Sequence, residues 1–310
     1  MRDVFLSEKE KETGGPVTGR TSRPEGEAAL VAGGAGQPTP LLKIRPATSW
    51  AAINFRELWQ FRDLAMTLAG RDLKLRYKQT ALGVVWVLLQ PLLAAGVFTF
   101  VFGKVAKMPS DGMPYFLFSY AGLLGWNLFF NTVTKSSGCL VGNAHLISKV
   151  FFPRLVLPLS TVPSTLVDFA VAAGMMAVLM VIYHVAPGPG LLLLPVWIVL
   201  LLLFSLGIGL VTAGLAVSYR DVTYILPVLM QLVMYASPIA YAATAVPERL
   251  RKWYDLNPLA PLLEAFRWSL LRRGELSARY LSLATIVSVL LFVVGLYSFK
   301  RMERKFADVI

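Results

Sequence analysis

With 56% hydrophobic residues, only 15% charged residues and a mean hydropathy of +0.61 over 310 positions, this chain is too apolar for a water-soluble globule. Its net charge of +12 would suit nucleic acid, but the cations flank long apolar runs, which points to a membrane surface and excludes a nucleic-acid partner. One cysteine, Cys139, and two distant histidines, His145 and His184, provide neither an internal disulfide nor a metal-ligand cluster.

Residues 1–49 are rich in Gly, Pro, Thr and Glu and carry seven cations and six anions, with no apolar core long enough for a secretory signal. Such a segment buries too little apolar surface to offset its ordering entropy, so it reads as a disordered cytoplasmic tail. Gly14 to Thr21 nearly matches the phosphate loop G-x-x-x-x-G-K-[ST]. Arg20 replaces the lysine, however, and neither a strand nor an apolar helix flanks it, so the chain is not expected to bind ATP there. Asn54 can cap a helix starting at Phe55, with Phe55, Leu58, Trp59, Ala65, Met66 and Ala69 as its apolar stripe. This predicts an interfacial segment over 54–82, lying on the membrane, with a bend at Gly70. Its basic part carries Arg71, Lys74, Arg76 and Lys78, of which 71, 74 and 78 share a helical face. An anionic inner leaflet attracts each by about 1 kcal/mol.

The first uncharged run, 84–102, spans a hydrocarbon core of about 30 Å and contains Pro91, which should kink it. The second span is read over 115–133, with Trp126 and Asn127 inside it. Residues 138–154 are too polar and too short to cross, and return Lys149 and Arg154 to the cytoplasm. The third span covers 156–183, with Pro158 and Pro163 making its first turns irregular. Asp168 is the single acid in any predicted span; it is either a proton-relay group or a carboxylate near the cytoplasmic end with water or a Ser/Thr partner. The fourth span, 191–217, presents Ser205, Gly209 and Ala213 as a small-residue face for close helix approach. After a turn at Arg220 and Asp221, a fifth span is read over 222–241, interrupted by Pro227 and Pro238.

Residues 246–279 hold seven cations and four acids. Burying all of them at mid-bilayer would cost roughly 30 kcal/mol, at about 3 each, so a full crossing is excluded. Yet the segment is too apolar for a free loop, and Asn257-Pro258 divides it into two short amphipathic helices. A last span over 280–299 ends in Lys300, Arg301, Arg304 and Lys305, which places the C-terminus inside with the N-terminus.

The run "RDLKLRYKQTALG" leading into "W" and "QP" at 71–91, the segment 149–154 and the closing "FKRMERKFADVI" resemble the membrane subunit of bacterial ATP-binding-cassette exporters of O-antigen, capsule or teichoic-acid polysaccharide. The resemblance covers 50–310 and implies an all-α integral membrane protein. Its parts would be six transmembrane helices, an N-terminal interfacial helix, a cytoplasmic coupling helix and re-entrant outer-side gate helices at 246–279. On that basis Lys149, Phe151, Phe152, Pro153 and Arg154 would dock on the ATPase, the two phenylalanines as an apolar knob, with Arg220 and Asp221 as a smaller contact. Aromatic side chains suit sugar faces, so Tyr115, Trp126, Tyr235, Trp253, Tyr254 and Trp268, with the Asn257-Pro258 reversal, become candidate channel and gate residues.

The implied function is the channel half of a homodimeric exporter of lipid-linked glycan in the bacterial inner membrane. Two copies of a separate ATPase would supply ATP and magnesium, and this chain would bind no cofactor. An exporter of drugs or small lipids is the alternative. A membrane enzyme acting on polyprenyl-linked sugars is disfavoured, because Asp168 has no carboxylate partner in the spans with which to hold a metal.

Overall fold

A computed structural model describes residues 55–78, 83–247, 257–273 and 276–309, with Arg249 and Tyr254 between them. The tail 1–49, the expected cap Asn54, Trp253 and most of the first half of the 246–279 hairpin lie outside the described residues. No strand occurs among the described residues. The helices are α1 (Phe55–Gln60), α2 (Arg62–Lys78), α3 (Gly83–Phe98), α4 (Tyr115–Gly142), α5 (Ala144–Lys149), α6 (Val156–Ile182), α7 (Leu194–Ser218), α8 (Val222–Tyr235), α9 (Leu259–Leu271) and α10 (Ala278–Val309). A π-helical turn, Thr99–Val105, continues α3, and a 3₁₀ turn, Pro189–Leu193, precedes α7.

Among the described residues, four stretches are long and apolar enough to cross a bilayer: Val85–Val105, Val156–Ile182, Pro189–Ser218 and Ala278–Glu303. The second expected span is a longer helix than 115–133, because α4 continues through Thr132, Thr134, Lys135, Ser136 and Ser137 to Gly142. Those side chains find partners there: Thr132 and Thr134 bond back to the carbonyls of Leu128 and Phe130, and Ser136 meets the Thr161 hydroxyl at 3.1 Å. α6 is regular from Val156 with Pro163 inside, correcting the expected irregular start. Pro158 sits in the first turn, where its missing N–H costs nothing. In the fifth expected span α8 runs through Pro227 without a break and stops at Tyr235, and residues 236–242 are irregular around Pro238.

The interfacial segment departs from expectation in two ways. The break falls at Phe61, and α2 runs unbroken through Gly70. A helical glycine costs about 1 kcal/mol, which the burial of Leu68 and Ala69 beside it outweighs. That break also rotates the apolar stripe, leaving Trp59 and Met66 exposed while Leu58, Phe61, Leu64 and Ala65 pack beneath, around Leu68. α2 therefore lies on α6 of its own chain, where the sequence suggested only lipid.

The main core gathers α4, α6, α7 and α9 around Tyr120, Phe129, Leu201, Leu262 and Phe266. The small-residue face on α7 does what small residues allow: a Cβ on Gly209 would stand 2.6 Å from Ser136 of α4. α9 is the second of the two expected short helices, with Leu259, Leu262, Leu263, Phe266 and Leu270 all buried against α4 and α7. A second core joins Leu68, Leu140, Phe152, Leu157, Leu210, Phe299 and Phe306 at the end of the bundle that carries α5.

Candidate translocation site

α3, α4, α6 and α8 enclose a partly open cavity of about 350 Å³. Its wall alternates amides with aromatic and aliphatic groups: Gln90, Asn127, Asn131 and Gln231 beside Trp126, Phe130 and Phe169. Of the aromatic residues proposed from sequence that fall among the described residues, only Trp126 lines it, 4% exposed and tilted against Phe129 and Phe130. Tyr235 is exposed at the end of α8. Tyr115 bonds to the Ala240 carbonyl, and Tyr254 donates to Glu264 at 2.6 Å. Trp268 packs on Gly190, where a Cβ would meet the indole at 2.8 Å. Asn257 accepts from the Leu259 N–H at 3.1 Å, with Pro258 as the residue that leads into α9.

One end of the cavity is ionic. Asp168, 4% exposed, accepts from Arg76 Nη1 at 2.5 Å, Tyr77 Oη at 2.6 Å and Lys135 Nζ at 2.9 Å. Three helices thus converge on one carboxylate: α2 brings Arg76 and Tyr77, α4 brings Lys135, and α6 brings Asp168 itself. Burial and the hydrogen bond to the carboxylate push the Tyr77 phenol above the usual tyrosine range, so it stays protonated and donates. In place of the expected Ser/Thr partner, two cations and a phenol donate to it. Sequence reading missed Lys135 and Tyr77; the signal was that Asp168 needed a counter-charge and the second helix held a lysine at matching depth.

The other basic residues point elsewhere. Arg71 bonds Asp72 at 3.1 Å and Asn143 Oδ1 at 2.7 Å, which fastens α2 to the turn before α5. Lys74 is exposed, and Lys78 ends α2 with its side chain outside the described set. In the 149–154 segment the two phenylalanines part company: Phe151 is 76% exposed and Phe152 5%. The two rings therefore do not stand out as the expected pair, because Phe152 is taken up by the second core and only Phe151 faces outward. Arg154 turns back as well, its Nη1 donating to the Glu303 carbonyl at 2.6 Å and its guanidinium 5.8 Å from the Phe306 ring. Lys149, Arg220 and Asp221 are exposed, and Pro153 is half-buried.

The described residues thus form a helical bundle, four of whose stretches are long and apolar enough to cross a membrane, around a mainly apolar hollow studded with amides. The family model described as ABC-2 type transporter matches residues 63–271, and the chain belongs to that family. It is 30% identical over 253 residues to the O-antigen export system permease protein RfbA of Klebsiella pneumoniae, covering 80% of this chain and 95% of that protein. The Myxococcus xanthus protein of the same name is 30% identical over 255 residues, 82% of this chain and 97% of the relative. The polysialic acid transport protein KpsM of Escherichia coli is 24% identical over 245 residues, 75% and 91% respectively.

Proposed function

We propose that this chain is the channel subunit of an ATP-driven exporter that moves lipid-linked polysaccharide across the bacterial inner membrane. It would act as a homodimer with two copies of a separate cytoplasmic ATPase, which alone binds ATP and magnesium. What carries the reading is the similarity, over four fifths of this chain, to permeases of O-antigen export. The cavity supports it. A sliding sugar chain needs hydrogen-bonding groups that exchange easily and flat apolar faces for its C–H surfaces, and Gln90, Asn127, Asn131, Gln231 and Trp126 supply both. Deleting the gene should remove long glycan from the cell surface while lipid-linked glycan accumulates inside, with recovery on complementation. Unchanged surface glycan in the deletion strain would end this reading.

The same proposal includes six spans with both ends in the cytoplasm. α4, with 28 residues at about 1.5 Å each, is long enough to cross. α8 has 14, and would cross only together with the irregular residues that follow it. With Cys139 replaced by Ser, single cysteines at Asp111, Gly188, Arg220 and Asp308 test the topology. An impermeant thiol reagent added outside should label 111 and 188 only, and labelling at 220 or 308 would break the six-span arrangement.

A further inference from the structure

Beyond Tyr235 the chain runs without helix through residues 236–242, and Ser237, Pro238, Ile239, Ala240 and Ala242 are all buried. Irregular backbone at membrane depth persists only if its polar groups are paired. Here side chains from separate parts of the fold do the pairing. Arg267 of α9 donates through Nη2 to the Pro238 carbonyl, and Tyr115 of α4 donates to that of Ala240. Asn257 Nδ2 reaches the Ser237 hydroxyl at 3.2 Å and the Ala236 carbonyl at 3.5 Å. The segment also presses into α4, since a Cβ on Gly122 would lie 2.9 Å from the Ile239 carbonyl oxygen. Gly122 immediately precedes Leu123 and Leu124 of the cavity wall, and Met234, which also lines it, stands two residues before Ala236. The clamped segment therefore adjoins that end of the hollow without lining it.

Arg267 is the anomaly in this clamp. It is 4% exposed, its guanidinium lies 4.1 Å from the Phe118 ring centre, and its Nη1 has no hydrogen-bond partner among the described residues. Glu264 is the charge that most favours its ionised form, yet a buried cation with an unpartnered nitrogen holds a permanent structure no better than an apolar residue of similar volume. It suits a contact that must be broken. Once the segment swings away, water solvates the guanidinium in place of the carbonyl and the ring.

We propose that Arg267 is the latch of an outer gate made by residues 236–242, positioning the gate shut in the resting state. The proposal rests on the channel reading and adds to it a residue whose removal should unlatch the path. The test uses the full-length chain in spheroplasts, with Cys139→Ser and Ile239→Cys as the reporter and an impermeant maleimide added outside. Arg267→Met should raise the labelling rate at least tenfold without lowering the melting midpoint of the purified protein. Arg267→Lys, which keeps charge and a donor, should stay within about threefold of the parent rate. Tyr115→Phe, which removes only a hydroxyl, should change the rate in the same direction and guards against misfolding of the methionine variant. Rates unchanged in both Arg267→Met and Tyr115→Phe, zero rates included, overturn the latch. So does a rise accompanied by a matching fall in melting midpoint, which is the mark of a merely structural residue. Labelling of Ile239→Cys only in inverted vesicles would instead reverse the topology, and the latch would fall with the channel reading.

Discussion

Replacing Asp168 with alanine should cost about 3–5 kcal/mol of stability, because it strands Arg76 and Lys135 around a site left without its anion. The two cations are not equally harmed. The Arg76 side chain is 36% exposed at the cavity rim and can be hydrated, whereas Lys135, at 26%, has less access to water and carries more of the penalty. Asp168→Asn preserves shape and an acceptor for Tyr77, and should cost about 1–3 kcal/mol. Adding Lys135→Met to it should recover most of that loss, since the remaining cation is the hydrated one. Thermal midpoints of the purified protein measure the series, and limited proteolysis should show α1 and α2 released first. An alanine variant that melts with the parent protein would remove the carboxylate from any organising role.

The second large effect separates adjacent phenylalanines. Phe152→Ala should cost about 3–5 kcal/mol, the usual loss for a buried ring in a core it shares with Phe299 and Phe306. Phe151→Ala should stay within about 0.5 kcal/mol, being a surface change. Charge sharpens the contrast: Phe152→Asp should fail to fold, while Phe151→Asp should insert normally and lose export through failed docking on the ATPase. Melting midpoint and surface glycan, measured on the same variants, check this. Full export by Phe151→Asp would show that the exposed ring is not the contact.

What could be read from the sequence was whatever depends on local composition. Uncharged runs located the third, fourth and last long helices to within a few residues of Val156, Leu194 and Ala278, and the every-fourth small residues on α7 marked a real close approach at Gly209. The candidate site was legible in fragments. Asp168 and Trp126 stood out as chemically odd residues in apolar runs, and both line the cavity. Their companions did not, because Lys135 reaches Asp168 across 33 positions and Arg76 across 92, and no period encodes a contact at that separation. Arg267 was counted only as one charge among eleven in a segment judged too charged for a full crossing, yet it is buried with α9. The averaging that excluded a crossing there also hid how unevenly those charges are placed. Gly70 and Met66 misled for a related reason: propensity and phase were read without knowing that α2 would find protein beneath it.

The contact between α7 and α10 shows which parts of the molecule are free to work. A Cβ on Gly207 would lie 2.7 Å from the Leu291 carbonyl, and one on Gly295 would lie 2.5 Å from the Gly207 oxygen, so the two backbones meet with no side chain between them. Backbones in direct register neither slide nor roll without collision, because no rotamer stands between them to yield. α7 also approaches α4 closely at Gly209, there against the short Ser136 side chain, so these three helices are the most tightly joined part of the bundle. α3 and α8 are packed thinly by comparison, with Trp86, Leu93, Phe100, Tyr224 and Leu232 turned outward. Any movement of helices against one another is therefore least obstructed at α3 and α8, two of the helices that wall the hollow.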